Sequence, residues 1–326
     1  MGSSGPDWQL RLEQDGFVVL PNRVSAEDCA EFREEALSWL ERFPHGFKRG
    51  DRSTWTSEHL PSSVTGGLYN RYSVGHEAFV WKIRSQPKIL EVFARLWGTD
   101  DLIASFDGIN ITLPINEETG RTDIKPTGAW PHMDQNPRKH DHFELYQGIA
   151  NLAPNGPQDG GLCVLKGSHL LHEEHFAATG GFRPAQDSGE KENGYNFTAA
   201  DADWYRERGC EEAKVCAGEG GLILWDSRLI HWNASPVGSQ VRFATYVCYC
   251  PRSLMDEAGL ARKLEVFKER KSTTHWPQQN VVPVDRKNSN AVPRRPDGSP
   301  DQANRTRPFV EPEETPAILR LVGVRA

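Results

Sequence analysis

The segment Ala129-Trp130-Pro131-His132-Met133-Asp134 reads as extended chain. Pro131 has no amide hydrogen to give a helix or a ladder, and its ring pushes Trp130 out of helical backbone. Side chains on a strand alternate between its faces, so His132 and Asp134 point the same way from one rigid piece of backbone. His132 is expected near a strand end. An imidazole and a carboxylate on one face are two of the three groups that hold one side of a ferrous ion, leaving its other positions open for a co-substrate and dioxygen.

The third ligand has to come from elsewhere. Gly220-Gly221-Leu222-Ile223-Leu224-Trp225-Asp226 reads as a buried apolar strand leading toward His231. A polar turn from Asn233 to Gln240, with Pro236 and Gly238, then feeds a second strand from Val241 to Cys250. The expectation is a hairpin with His231 near the end of one strand and Arg242 near the start of the next. A guanidinium there suits bidentate pairing with the far carboxylate of a dicarboxylate whose near end sits on the metal. Between Phe106 and Pro114, Ile109, Ile111 and Leu113 alternate with Asn110 and Thr112, the pattern of another strand.

Four blocks in order carry a resemblance: Asp15-Gly16-Phe17-Val18-Val19-Leu20-Pro21, Pro131 to Asp134, GGLCVLKGSH from Gly160 to His169, and HWNASPVGSQVR from His231 to Arg242. Through them the chain, from Asp15 to Cys250, resembles the phytanoyl-CoA dioxygenase family of iron(II)- and 2-oxoglutarate-dependent oxygenases. The resemblance implies a mainly β protein with flanking helices, a double-stranded β-helix of the jelly-roll, cupin-like type. It implies Fe(II) on His132, Asp134 and His231, 2-oxoglutarate paired through Arg242, and O2 as co-substrate. The implied reaction oxidises a substrate C–H bond by hydroxylation, desaturation or oxidative cyclisation, while 2-oxoglutarate loses CO2 to become succinate. Halogenating relatives lack the carboxylate that Asp134 supplies, so halogenation is disfavoured. Two departures concern the co-substrate pocket and its turn. Lys166 replaces the proline of the usual Pro-Gly-Ser-His turn, and Leu162 stands where several relatives carry a hydroxyl residue, making the pocket more apolar. The family's Asn-x-Ser would align with Pro236-Val237-Gly238, whereas Asn233-Ala234-Ser235 comes earlier here.

Composition limits what else the chain does. A formal net charge of −7, a pI near 5.9 and a mean hydropathy of −0.62 give no reason to expect nucleic acid or membrane as a partner. No signal peptide is visible, and Cys29, Cys163, Cys210, Cys216, Cys248 and Cys250 show no zinc-ribbon spacing. The expectation is a cytoplasmic enzyme with reduced thiols, a small-molecule substrate and room for a homodimer. A biosynthetic intermediate, amino-acid derived, is the favoured substrate class. Candidate substrate or lid residues are Tyr69, Arg71, Tyr72, Trp130 and Trp232; for Arg71 the simpler expectation is a surface or lid salt bridge.

Residues 1–14 read as an amino-terminal extension or expression scar, residues 15–270 as the catalytic domain, and residues 271–326 as an arm packed on it. Lid insertions are expected at about 44–70 and 172–210, covering the active-site mouth. Ser25 is a helix N-cap, with Cys29, Phe32, Ala36, Trp39, Leu40 and Phe43 as the buried stripe. Further helices are expected over Glu77 to Ser85, from Pro87 to about Gly98, and over Leu254 to Lys271. Residues 283–308, rich in Pro, Arg, Asn and Asp, read as a surface tail; the alternative is an arm ordered over the active site or at a dimer interface.

Rival metal pairs have simpler readings. His140-Asp141-His142 and His142-Phe143-Glu144 lie in or beside a solvated loop, His172-Glu173-Glu174-His175 lacks the four-residue spacing of zinc hydrolases, and His169 belongs to a turn. Two other classes use the main ligand set: a catalytically silent metal- or small-molecule-binding jelly roll, and a zinc hydrolase.

Overall fold

A computed structural model of the chain describes residues 7–138, 143–182, 194–279, 281 and 292–325. Among them run twelve strands: β1 (Phe17–Leu20), β2 (Leu68–Tyr69), β3 (Leu102–Ala104), β4 (Ile109–Thr112), β5 (His132–Met133), β6 (Tyr146–Asn151), β7 (Asp159–Leu165), β8 (Tyr195–Asn196), β9 (Glu212–Lys214), β10 (Leu222–Asp226), β11 (His231–Pro236) and β12 (Arg242–Pro251). They form two antiparallel sheets, one in the order β1-β10-β6-β12-β4-β2 with β3 also on β12, the other β8-β5-β11-β7-β9. This is the double-stranded β-helix that the resemblance implies. Among the described residues no helix is long and apolar enough to cross a membrane.

Alternation along β12 explains how the layers pack. Phe243, Val247 and Tyr249 face the helices, whereas Ala244 and Tyr246 face the space between the sheets, where Ile149, Leu162, Val164, Ile223 and Trp225 meet them. Arg242 falls in the inward set. On the outer face of the smaller sheet, Met133, Cys163, Leu165 and Trp232 pack with Phe176, Tyr195 and Tyr205.

Helix α1 covers Asp7–Asp15 and α2 covers Ala26–Glu41. Ser25 caps α2 by accepting from the Asp28 amide at 3.0 Å, and Cys29, Phe32, Ala36, Trp39 and Leu40 are its buried stripe. The cap contributes about 1 kcal/mol, against roughly 1.5–3 kcal/mol for each large apolar side chain buried. Packing on the sheet therefore holds this helix. Helices α3 (Ala78–Arg84) and α4 (Pro87–Trp97) follow, the latter opened by its proline and closed by Gly98 at φ 68°. Helices α5 (His172–Ala178) and α6 (Ala199–Glu207) cover the smaller sheet, and α7 (Glu257–Lys268) and α8 (Pro316–Val322) the larger one.

The expected hairpin is corrected. His231 opens its own strand instead of closing β10, and β11 and β12 are not hydrogen-bonded neighbours but lie in opposite sheets. Pro236, lacking an amide hydrogen, ends β11, and the following turn carries the chain across to the other sheet. Residues 292–308 run mostly exposed over the surface, as a tail wrapping the domain would, while the rest of the arm is anchored inside. Trp276 is 1% exposed, Asp301 accepts from Tyr72 Oη at 2.7 Å inside the fold, and Ile318 and Leu321 join the main core. Of the expected lid at 172–210, the described parts supply β8 and the aromatic cluster on the smaller sheet.

Candidate metal centre

His231 stands where three strands meet, its Cα paired with His132 on β5 and with Val164 on β7. That register sets the two imidazoles side by side with ring centroids 4.3 Å apart. Asp134 leaves β5 on the same side as His132, anchored by its amide to Ser227 O at 3.1 Å and by Gln147 Nε2, which donates to Oδ2 at 3.0 Å. One ligand atom from each of His132, Asp134 and His231 lies within 4.8 Å of the others.

Proton positions decide what this cluster can hold. His132 Nδ1 lies 3.1 Å from Trp130 O, and His231 Nδ1 lies 2.9 Å from Leu229 O. A carbonyl only accepts, so both rings carry their proton on Nδ1 and present an Nε2 lone pair. Those lone pairs face the carboxylate, at 3.2 Å from His231 Nε2 to Oδ2 and 3.8 Å from His132 Nε2 to Oδ1. Two Nε2 atoms and a carboxylate converging on one point fit a cation at their centre, and the two carbonyls are the outer partners that orient histidine ligands. Burial pushes the Asp134 carboxyl up, but without metal the positive charge of His275, His231 and His132 in their protonated forms, with a hydrogen bond from His231, holds it well below the usual carboxylate range. The carboxylate is thus ionised and ready to bind metal.

Arg242 begins β12 opposite Thr112 of β4 and is 4% exposed. No carboxylate or carbonyl among the described residues pairs with its guanidinium. The residue it passes is Gly161, at φ 104°, where a Cβ would stand 2.9 Å from Arg242 Nε. Glycine there leaves the fork uncrowded. Burial lowers the Lys214 ammonium, with the Arg242 charge adding to the effect. A buried guanidinium without a partner among the described residues fits a carboxylate that arrives with a ligand.

The sequence model of the phytanoyl-CoA dioxygenase family matches residues 12–244. The chain belongs to the phytanoyl-CoA dioxygenase family. As a member it is an iron(II)- and 2-oxoglutarate-dependent dioxygenase. The chain is 38% identical over 279 residues to Ava biosynthesis cluster protein O of Aspergillus versicolor, covering 85% of this chain and 88% of that one. It is 25% identical over 289 residues to a Dictyostelium discoideum protein named as a phytanoyl-CoA dioxygenase, covering 79% and 78%. Among solved structures, the epimerase SnoN in complex with Fe3+, alpha-ketoglutarate and nogalamycin RO is similar in fold, with a TM-score of 0.50, 18% identity, and coverage of 75% of this chain and 82% of that one.

Within this family frame, the other predicted residues separate cleanly. Trp130 is 42% exposed and stacks on His132, centroids 4.1 Å apart and planes 8° from parallel. Trp232 follows His231 on the strand and therefore points to the opposite face, into the outer cluster. Tyr69 and Tyr72 are buried edge-on against Trp39. The structure brings Trp130 to the triad and does not bring Tyr69, Tyr72 or Trp232 there. Arg71 makes no salt bridge among the described residues. The rivals are packing groups: His172 reaches Tyr205 Oη and Arg228 O at 2.7 Å each, His175 reaches Asp201 at 3.2 Å, and His169 reaches Glu13 O at 3.0 Å. His140, Asp141 and His142 lie outside the described residues, and Glu144 accepts from Gln279 at 2.6 Å.

Two site residues escaped the sequence reading. Gln147, which steadies Asp134, sits on the inward face of β6 and could have been found from alternation once that strand was drawn. His275 follows the family-like blocks, in a segment tied to the strand region by Thr273 N to Phe106 O at 2.9 Å. Its Nε2 is shut off from solvent without a hydrogen-bond partner, and its charge acts on both Asp107 and Asp134. Nothing in the local sequence marks it.

Proposed function

We propose that His132, Asp134 and His231 hold the iron(II), that Arg242 pairs with the distal carboxylate of 2-oxoglutarate, and that the enzyme oxidises a C–H bond of a small-molecule biosynthetic intermediate. The convergence of two imidazole lone pairs on the Asp134 carboxylate carries this reading. Iron(II) bound there would supply the activation of O2, coupled to oxidative decarboxylation of 2-oxoglutarate.

The chain's own residues supply binding, orientation and dryness. Arg242 fixes the co-substrate by its far end and leaves the near end for the metal. Leu162, Val164 and Ile149, clustered between the sheets, supply apolar surface that keeps water out. Leu162 thus takes the place of a hydroxyl contact, as the sequence suggests. Gln147 and the carbonyls of Trp130 and Leu229 keep the three ligands oriented. The exposed face of Trp130, next to a ligand, offers a platform for a flat or partly apolar substrate.

Retention of Asp134 favours hydroxylation, desaturation or ring closure over halogenation. The likeness to a protein of a biosynthesis cluster supports a biosynthetic intermediate as substrate, and an amino-acid-derived one is our choice. Six free cysteines, five of them buried, support a cytoplasmic setting. Residues 15–270 constitute the catalytic unit in this reading, with residues 271–326 packed on it. The test supplies iron(II), 2-oxoglutarate and oxygen with a panel of amino-acid-derived small molecules and measures succinate. A true substrate raises succinate above the background rate and yields a product that has gained one oxygen or lost two hydrogens. Succinate release that no member of the panel stimulates would remove the substrate class, and release that is absent altogether would remove the reading.

A further inference from the structure

A second site lies away from the triad, between Asn70–Ser73 and the carboxy-terminal arm. These residues, with Arg270, Ser272 and Arg305, surround a cavity of about 90 Å³. That is too small for a whole ligand, whose pockets run to roughly 300 Å³ or more, but it admits one compact charged group.

Three features of the cavity wall call for such a group. Arg71 has five N–H donors and no acceptor, yet its guanidinium has no partner among the described residues, and its Nε is cut off from solvent. Ser272, 6% exposed, likewise has an Oγ without a partner. The wall is held in strained backbone: of four non-glycine residues with positive φ among the described ones, Tyr72 (58°), Ser73 (57°) and Arg270 (54°) line this cavity. Such conformations persist where the surroundings enforce them, and they cluster at binding sites.

The charge balance gives the sign of the ligand. Arg270 is committed to Glu311 and Glu314 at 2.7 Å each, and Lys271 to Glu269 at 2.9 Å. Arg305 bonds only to the carbonyls of Arg307 and Pro308 and lies over the Phe309 ring, with Glu77 the carboxylate nearby. Among the described residues no carboxylate pairs with Arg71. Asn70 turns its Oδ1 inward without a donor, and an amide flip would present its NH2 instead.

We propose that this cavity binds an oxyanion, a carboxylate or a phosphate, held by the Arg71 fork and by the Ser272 hydroxyl as donors. Such a site sits on a chain of net charge −7, so the attraction is local. It also ties the 70–73 loop to the arm, and occupancy stiffens both. The anion is either the charged end of the organic substrate or a free oxyanion.

Metal-free protein is titrated by calorimetry with sodium phosphate and with sodium acetate at constant ionic strength, chloride serving as the control. One saturable site is expected, weakened about tenfold or more in Arg71→Gln and about threefold in Ser272→Ala, as loss of a charged and of a lesser donor implies. Circular dichroism confirms that both variants fold, and Arg71→Lys, which keeps the charge but loses the fork, is expected to recover part of the affinity. Absence of saturable binding, or equal binding in folded Arg71→Gln and Ser272→Ala, overturns the proposal. The source is read from protein loaded with iron(II) and 2-oxoglutarate. An Arg71-dependent change in its visible absorption on anion addition supports a substrate subsite, and saturable binding without that change supports a free oxyanion. Because the first titration needs no metal, its failure is distinct from a failure of the iron site.

Discussion

The protein buries cations in two regions and treats them oppositely. On the helix side of the larger sheet, Lys263 is 1% exposed, but its ammonium donates to Ala104 O at 2.6 Å and Pro277 O at 3.1 Å and lies 4.2 Å from the Phe106 ring centre. Between the sheets, Arg242 is 4% exposed and has no partner among the described residues. The first is hydrogen-bonded by the protein itself and ties α7 to β3 and the arm. The second is left without such a partner among the described residues, on the sheet that faces the one carrying His132 and His231. A fold tolerates an unpaired buried charge at a cost, and the contrast shows where stability has been given up for binding.

The largest effect belongs to the triad. Asp134→Ala removes the one anionic ligand, and iron binding and succinate formation are expected to fall to background while the far-ultraviolet spectrum stays native. At the other pole, Arg242→Met is expected to weaken 2-oxoglutarate binding by roughly 2–5 kcal/mol, the range for truncating a buried charge pair. The same variant, without co-substrate, is expected to melt higher than the parent, because an unpaired charge has been replaced by an apolar chain. A lower melting temperature would mean that the guanidinium is satisfied within the protein, and the contrast with Lys263 would collapse.

Smaller effects sharpen the two regions separately. Gln147→Leu keeps all three ligands and loses only the donor that steadies Asp134, so metal affinity is expected to drop about 10–100-fold, as for other outer-shell partners; equilibrium dialysis against iron(II) reads it. Lys263 provides the pH test. Burial lowers its pKa from 10.5 to about 7. Between those values the unfolded chain holds a proton that the folded one does not, so stability rises with pH through that window and the penalty is complete below it. Urea unfolding at pH 7 and pH 9.5 is expected to show this rise in the parent and its loss in Lys263→Met.

What was legible in the sequence followed from local rules. The period of two placed His132 and Asp134 on one face, the proline before them marked extended chain, and the order of four short blocks pointed to the jelly roll. Ser25, Pro87 and Gly98 marked helix ends through their own backbone chemistry. What failed to show was set by the tertiary fold. Whether β12 pairs with β11 or crosses to the other sheet is not written in the turn between them, so the expected hairpin was wrong. The same strand geometry that brings His231 inward sends Trp232 outward. In the arm, Trp276 and Ile318 lack a hydrophobic period long enough to register, and the helix that carries Ile318 is buried only by packing on β3 and α7. His275, brought beside Asp134 by that arm, could not be recognised for the same reason.

The most direct test of the account is the visible absorption of anaerobic protein mixed with iron(II) and 2-oxoglutarate. Chelation of iron by the keto acid at His132, Asp134 and His231 predicts a metal-to-ligand charge-transfer band, lost in His132→Ala and shifted to higher 2-oxoglutarate concentrations in Arg242→Met. A folded parent protein that shows no band, or a band that survives in His132→Ala, would contradict the assignment of the site.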